Sequence, residues 1–222
     1  MRRVGLLVSF LSLVFSVGAQ VPVKDPEAKK VLDKASEKFK TFQSFKADFE
    51  FLMESTATGM SEKYTGEVTV KGEKYFIKTG DGKETYNNGE TVWTYYVEDN
   101  EVTIFDYDSE DDNMSVDKML NIYKSGYKYR LMADETINGV TYEVVDLEPD
   151  LSPEERKTNQ VFKIRILFDK KTKIIYSWKI FERNGNRYTV TIKSIQTNIA
   201  VSESIFTFDK AKHKGVVEED LR

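Results

Sequence analysis

Residues 66–96 read GEVTVKGEKYFIKTGDGKETYNNGETVWTYY. The stretch is a succession of strands with polar turns between them, and Asn88-Gly89 is its strongest turn signal. Aromatic groups point to both faces. Tyr75 and Phe76 are adjacent and so point opposite ways, while Trp93 and Tyr95 share one face and Thr94 and Tyr96 the other. A sheet with apolar groups on both faces must be covered on both, or must hold something apolar against one of them.

The same period of two extends in both directions. Upstream, Phe45, Ala47, Phe49, Phe51 and Met53 alternate with Lys46, Asp48 and Glu50, and Tyr64, Gly66, Val68 and Val70 follow. Downstream, strands are predicted near 74–79, 91–97 and 101–107, then over 127–132, 140–147, 161–168, 174–181 and 188–195. Phe162, Ile164, Ile166 and Phe168 oppose Lys163 and Arg165, the pattern of a half-buried strand. Asn138-Gly139 and Asn184-Gly185 read as hairpin turns, and Phe206 and Phe208 as a last short strand.

Two segments break the alternation. Asp25-Pro26 is a helix start, with Asp25 as N-cap and Pro26 at the first helical position. Ala28, Val31, Leu32, Ala35 and Phe39 then form one apolar stripe, with lysines on much of the other face. After a polar loop at 108–113, Val116, Met119, Leu120 and Tyr123 form a second stripe, capped by Ser115. This order predicts a mainly β (α+β) fold: one curved antiparallel sheet forming an incomplete β-barrel, with helices covering its concave side.

The first residues suggest export. Arg2 and Arg3 precede an apolar run from Val4 to Val17, and Val17-Gly18-Ala19 is a small-residue cleavage site before Gln20. The run is shorter than the roughly 20 residues of a spanning helix. Residues 1–19 therefore read as a signal peptide and 20–222 as a single domain. Removing nineteen of 222 residues leaves 203, and with two arginines gone the net charge moves from −4 to −6. The chain contains no cysteine, hence neither disulfides nor a lipid-attachment cysteine. A periplasmic protein without lipid anchor, monomeric and with no nucleic-acid footprint, is expected.

Catalytic signals are weak. His213 is the only histidine and lies in a lysine-rich stretch that reads as solvated tail. Neither a nucleophile elbow nor a His/Cys metal spacing is present. Ser115-Val116-Asp117-Lys118 and Lys78-Thr79-Gly80 match two motifs of penicillin-recognising enzymes, but in reversed order and with no S-D-N between them. Asp106, Asp108, Glu110, Asp111 and Asp112 could offer oxygens to calcium, yet the glycine of an EF-hand loop is missing, and a solvated acidic loop is the favoured reading. No enzyme, cofactor or metal is expected.

The chain resembles the LolA family, periplasmic carriers of outer-membrane lipoproteins. The resemblance rests on Ser44-Phe45-Lys46-Ala47-Asp48-Phe49, on Gly66 to Lys71, on Asn88 to Trp93 followed by an aromatic strand, and on Phe206-Thr207-Phe208 followed by Gly215-Val216. It implies an incomplete barrel closed by helices around a cavity for acyl chains. It also implies acylated lipoproteins as cargo, an inner-membrane lipoprotein-releasing transporter as donor and an outer-membrane acceptor. The family's cavity phenylalanine matches Phe76. Candidate lining residues are Phe49, Phe51, Val68, Phe76, Trp93, Tyr95, Met119 and Leu120, with Met53 and Met114 as adaptable apolar groups. The family's arginine and proline after this strand are here Gly72 and Glu73. That arginine is tied to lid closure, so another cation, Lys71 or Lys74, or apolar contact alone is expected to hold a looser lid over 115–124. Two alternatives use the same sheet: a module for another lipid or apolar ligand, or a structural envelope protein that binds a partner at the sheet edge.

Overall fold

The computed structural model describes residues 24–108, 121–124 and 126–222. The proposed signal peptide, the acidic residues 110–112, Met114, Ser115, Val116, Lys118, Met119 and Leu120 lie outside these residues.

Helix α1, Pro26–Lys40, starts where Asp25 accepts hydrogen bonds from the backbone N–H groups of Glu27 and Ala28. The second carboxylate oxygen of Asp25 accepts from the N–H of Leu131 at 3.0 Å, so the helix cap also pins α1 to the sheet. That bond from Leu131, helped by those from Glu27 and Ala28, holds the Asp25 carboxyl below its ordinary pKa despite partial desolvation.

Thirteen strands form one sheet. They are β1 Phe45–Ser55, β2 Ser61–Lys71, β3 Lys74–Thr79, β4 Lys83–Asn87, β5 Thr91–Tyr96, β6 Glu101–Asp106 and β7 Tyr127–Leu131. There follow β8 Glu135–Ile137, β9 Val140–Pro149, β10 Val161–Asp169, β11 Ile175–Glu182, β12 Asn186–Thr197 and β13 Val217–Asp220. A single helical turn, α2, Glu155–Thr158, joins β9 to β10. The spatial order is β13-β6-β5-β4-β3-β2-β1-β12-β11-β10-β9-β7, with β8 beside β9. All neighbours are antiparallel except β13, which runs parallel to β6. β13 and β7 end the order without pairing to each other, so the curved sheet does not close, as the alternation predicts.

The sheet has an inner, helix-bearing face and an outer face. On the inner face Ala28, Val31, Leu32 and Ala35 of α1 bury against Tyr129, Val145, Leu147, Ile164, Ile166 and Phe168. These residues are the first stripe and the alternating positions of β7, β9 and β10. On the outer face Tyr95, Val102 and Ile104 pack under Phe208 of the C-terminal segment.

Two expectations are corrected, and one strand is added. Phe206 ends a 3₁₀ turn, Glu203–Phe206, and the last strand is the polar segment Val217–Asp220 at the edge of β6. β4 contains no aliphatic residue, yet it sits inside the sheet with Thr85 and Asn87 buried, so pairing rather than propensity defines it. Phe162 does not share the face of Ile164. Val161 pairs with Glu182 and Lys163 with Phe181, so Phe162 is the extra residue of a bulge and its ring lies beside Phe181, 6.1 Å between centroids.

Gly66 faces Phe49 across the β1–β2 pair. A Cβ at Gly66 would lie 2.3 Å from Cζ of Phe49 and 2.8 Å from the carbonyl oxygen of Lys78. The phenylalanine ring thus lies over bare backbone. Gly66→Ala is expected to destabilise the protein by about 1–3 kcal/mol, the usual cost of overpacking, seen as a lower urea midpoint. A midpoint equal to that of the wild type would show that Phe49 repacks freely.

Candidate functional site

Where α1 ends, the inner face is left partly bare. The gap is a pocket of about 560 Å³ of empty space, counted out to its mouth. Phe39 and Phe42 form one wall, where the helix gives way to the turn before β1. Phe45 and Ala47 of β1 and Val68 of β2 form the floor on one side. Trp178 of β11 and Ile192 and Ile195 of β12 form it on the other. The wall is held by edge contacts of Phe39 with Phe42 at 5.4 Å and with Phe45 at 5.3 Å.

The charged lining groups are Lys38 and Lys173. Lys173 is ion-paired with Glu143, and the ammonium of Lys38 lies 5.6 Å from the Phe42 ring centre. Among the described residues neither a carboxylate, an imidazole nor a hydroxyl lines the pocket. The arrangement can hold an apolar group, and among the described residues two lysines are the lining's titratable side chains.

The candidate residues from the sequence divide between the two faces. Val68 lines the pocket. Phe49 and Phe51 share its face. The ring of Phe49 occupies the space above Gly66. Phe51 stacks on Tyr64 at 4.9 Å and lies 6.3 Å from Tyr188. These rings continue the apolar inner face beyond the pocket toward the β1–β2 hairpin.

Phe76, Trp93 and Tyr95 lie on the outer face. The cause is register: Val68 pairs with Ile77, which turns Phe76 outward, and Phe76–Tyr86–Trp93–Ile104 then line up across four strands. Phe76 packs on Tyr86 at 4.8 Å, and Tyr95 lies under Phe208 at 5.3 Å. Met119 and Leu120 lie outside the described residues. Val68 is the one lining residue among the described sequence candidates; Phe42, Trp178, Ile192 and Ile195 are among those that sequence reasoning missed. Ile192 and Ile195 are three residues apart and reach one face through the bulge in the β1–β12 ladder, which no spacing rule shows.

His213 also departs from expectation. Instead of lying in a solvated tail, its ring is half-buried, 4.6 Å from Phe208 in a stacked pair and 4.3 Å from Tyr95. It is part of the clamp that holds the C-terminal segment to the outer face. Beneath it, burial opposes ionisation of Glu84, but hydrogen bonds from Lys78 and Tyr86 overcome this and keep its pKa below the ordinary value. Burial, with Glu84 as acceptor, pushes the Tyr86 phenol up. Lys78 of the Lys-Thr-Gly triplet is thus an ion-pair partner at 2.9 Å. No group of three or more His, Cys, Asp or Glu suited to a metal occurs among the described residues.

Gly72 is the first residue of the two-residue turn between Lys71 and Lys74 and has φ +62°, a conformation that favours glycine. No atom lies within 4 Å of a Cβ built there. Lys71 and Lys74 both bind the carboxylate of Glu203. They secure the C-terminal 3₁₀ turn, and of the segment before β7 residues 121–124 are described. The described end of that segment is tied to α1 instead, by Tyr123 donating to Asp33 at 2.6 Å and Ser36 donating to Asn121 at 3.1 Å.

The hydrogen bonds from Lys71 and Lys74 hold the Glu203 pKa at about 2, below its ordinary 4.5. A depressed carboxylate stabilises fully above its ordinary value and loses that contribution as pH falls through the folded value. The C-terminal segment is therefore expected to loosen between pH 4.5 and about 2. Glu203→Gln should flatten the fall of thermal midpoint with pH over that range. An identical slope in both proteins would remove Glu203 from the acid response.

An open, curved antiparallel sheet wrapped on a helix, with an apolar pocket between them, is the architecture of the lipoprotein-carrier class. The family model described as outer membrane lipoprotein carrier protein LolA matches residues 40–209, and the chain belongs to that family. Two solved structures share the fold. An uncharacterized conserved protein from Thermus thermophilus superposes with a TM-score of 0.55 at 10% identity, over 87% of this chain and 99% of the other. The Mycobacterium tuberculosis lipoprotein LppX superposes with a TM-score of 0.50 at 12% identity, over 80% of this chain and all of the other, 100%. Identities this low carry the fold alone. A search of curated proteins finds no match. No helix among the described residues is long and apolar enough to cross a membrane.

Proposed function

We propose that this protein is a periplasmic carrier that takes acyl chains of lipoproteins into the inner-face pocket and ferries them toward the outer membrane. The observation that carries the reading is a predominantly apolar pocket whose described lining has neither carboxylate nor imidazole, at the place where α1 stops covering the sheet. Membership of the LolA family supports the same cargo class. In this reading residues 1–19 are removed on export and the remaining chain acts as a monomer without a lipid anchor. An inner-membrane releasing transporter supplies the cargo and an outer-membrane acceptor receives it.

The physics fits such a role. Each buried methylene is worth about 0.8 kcal/mol, so a chain of roughly 15 gains ~12 kcal/mol gross and does not cross water unaided. Val68, with the aromatic wall of Phe39 and Phe42, is the proposed contact surface. Phe49 and Phe51 extend it, and Met119 and Leu120 are proposed to contribute to it.

Val68→Trp fills the pocket floor. Displacing about two methylenes of ligand should weaken binding of an acylated peptide roughly 15-fold, measured by displacement of a fluorescent fatty acid. Phe76→Leu, on the opposite face, should leave affinity unchanged. If the wild type binds no acylated peptide, the carrier reading fails. If Phe76→Leu weakens binding as much as Val68→Trp, the pocket has been assigned to the wrong face.

A further inference from the structure

The bulge that opens β10 has a consequence on the outer face. It brings Phe162, which simple alternation assigns to the core side, next to Phe181. Bulges re-aim side chains in this way, and they concentrate at edges and functional surfaces. Both rings are half-buried.

Four cations surround the two rings. The ammonium of Lys163 lies 4.3 Å and that of Lys179 5.7 Å from the centre of Phe181. The guanidinium of Arg187 lies 5.1 Å from Phe181 and 5.6 Å from Phe162, and that of Arg183 5.9 Å from Phe162. Acidic neighbours account for part of this charge. Glu54 holds Lys179 at 3.0 Å, and Asp146, mainly engaged with Arg165, lies 3.8 Å from Lys163. Glu182 accepts from the side-chain amides of Asn184 and Asn186. Arg187 donates to two backbone carbonyls, and neither it nor Arg183 has a carboxylate partner within 4.0 Å among the described residues.

The patch ends on two hairpin tips. Arg183 is exposed in the β11–β12 turn. The N–H of Thr56 in the β1–β2 hairpin donates to Gly185 of that turn at 3.1 Å, and the same hairpin carries Met60, 40% exposed. One end of the sheet thus presents exposed Met60 beside two arginines that have no carboxylate partner among the described residues, in a chain with net charge −4.

We propose that this end of the sheet docks on an anionic lipid bilayer. Guanidinium groups bind phosphate oxygens in paired hydrogen bonds, and aromatic and methionine side chains between them suit the headgroup boundary. Hairpin tips reach a flat surface without a groove to receive them. The docking is separate from the pocket and does not depend on what the pocket holds.

Vesicle flotation tests it. The wild type should float with phosphatidylglycerol–phosphatidylethanolamine vesicles, more weakly at high salt, and not with phosphatidylcholine vesicles. Each cation near such a surface contributes about fivefold in partition, so R183E should lose at least about fivefold and R183E/R187E at least about 25-fold. R183K/R187K should retain most of the binding. The pocket variant Val68→Trp should float like the wild type, and R183E/R187E should bind acylated peptide normally. Flotation of R183E, an exposed turn variant, equal to wild type would overturn the proposal. So would equal flotation with phosphatidylcholine, or loss of flotation in Val68→Trp alone. A wild type that ignores vesicles but binds polyglutamate through these arginines would replace the bilayer with an acidic protein.

Discussion

The pairing of β1 with β12 is the contact on which the rest depends. It runs from Phe45 opposite Thr197 to Ser55 opposite Asn186, over nearly the full length of both strands. It joins two antiparallel halves, β2 to β6 on one side and β7 to β11 on the other. Closing so long a loop costs entropy that only a long ladder with cross-strand contacts offsets. Without this seam each half would be a short sheet with an uncovered apolar face. The pocket sits over the seam, since Phe45, Ala47 and Val68 come from one side and Trp178, Ile192 and Ile195 from the other.

The two faces of the sheet solve their burial problem differently. The outer face of β3 to β6 is covered by the chain's own C-terminal segment, with Phe208 and His213 laid on Tyr95 and with Lys71 and Lys74 binding Glu203. That cover is closed. The inner face is covered by α1, whose apolar stripe fits β7, β9 and β10. The helix ends at Lys40, before it reaches the β1–β2 side, and Phe39 and Phe42 turn edge-on there. An incomplete cover over a continuous apolar surface is what makes a binding site out of a core.

The same economy of cover shapes the outer surface near β10 to β12. There no segment of the described chain lies over Phe162 and Phe181. Cations take that position, their alkyl stems and charged heads resting on the rings. The bulge at Phe162 is the local cause, because it removes one aromatic from the inner core and adds it to this patch.

The sequence by itself determined the elements. Asp25-Pro26 and the stripe through Phe39 define α1, and alternation defines β1, β10 and β12 to within a few residues. It also determined that Trp93 and Tyr95 share a face and that Tyr75 and Phe76 do not, because side-chain direction along a strand is a local property. Tertiary structure alone decided which face is which. Phe76, Trp93 and Tyr95 are as apolar as Phe49 and Val68, and only the register of β2 against β3 sends them outward. It also decided the edge strand Val217–Asp220, whose polar sequence has no strand pattern and which forms because β6 offers a free row of backbone groups. Periodicity is set within a few residues of chain, whereas which face is inside depends on where α1 packs, against Val145 to Phe168 more than a hundred residues away.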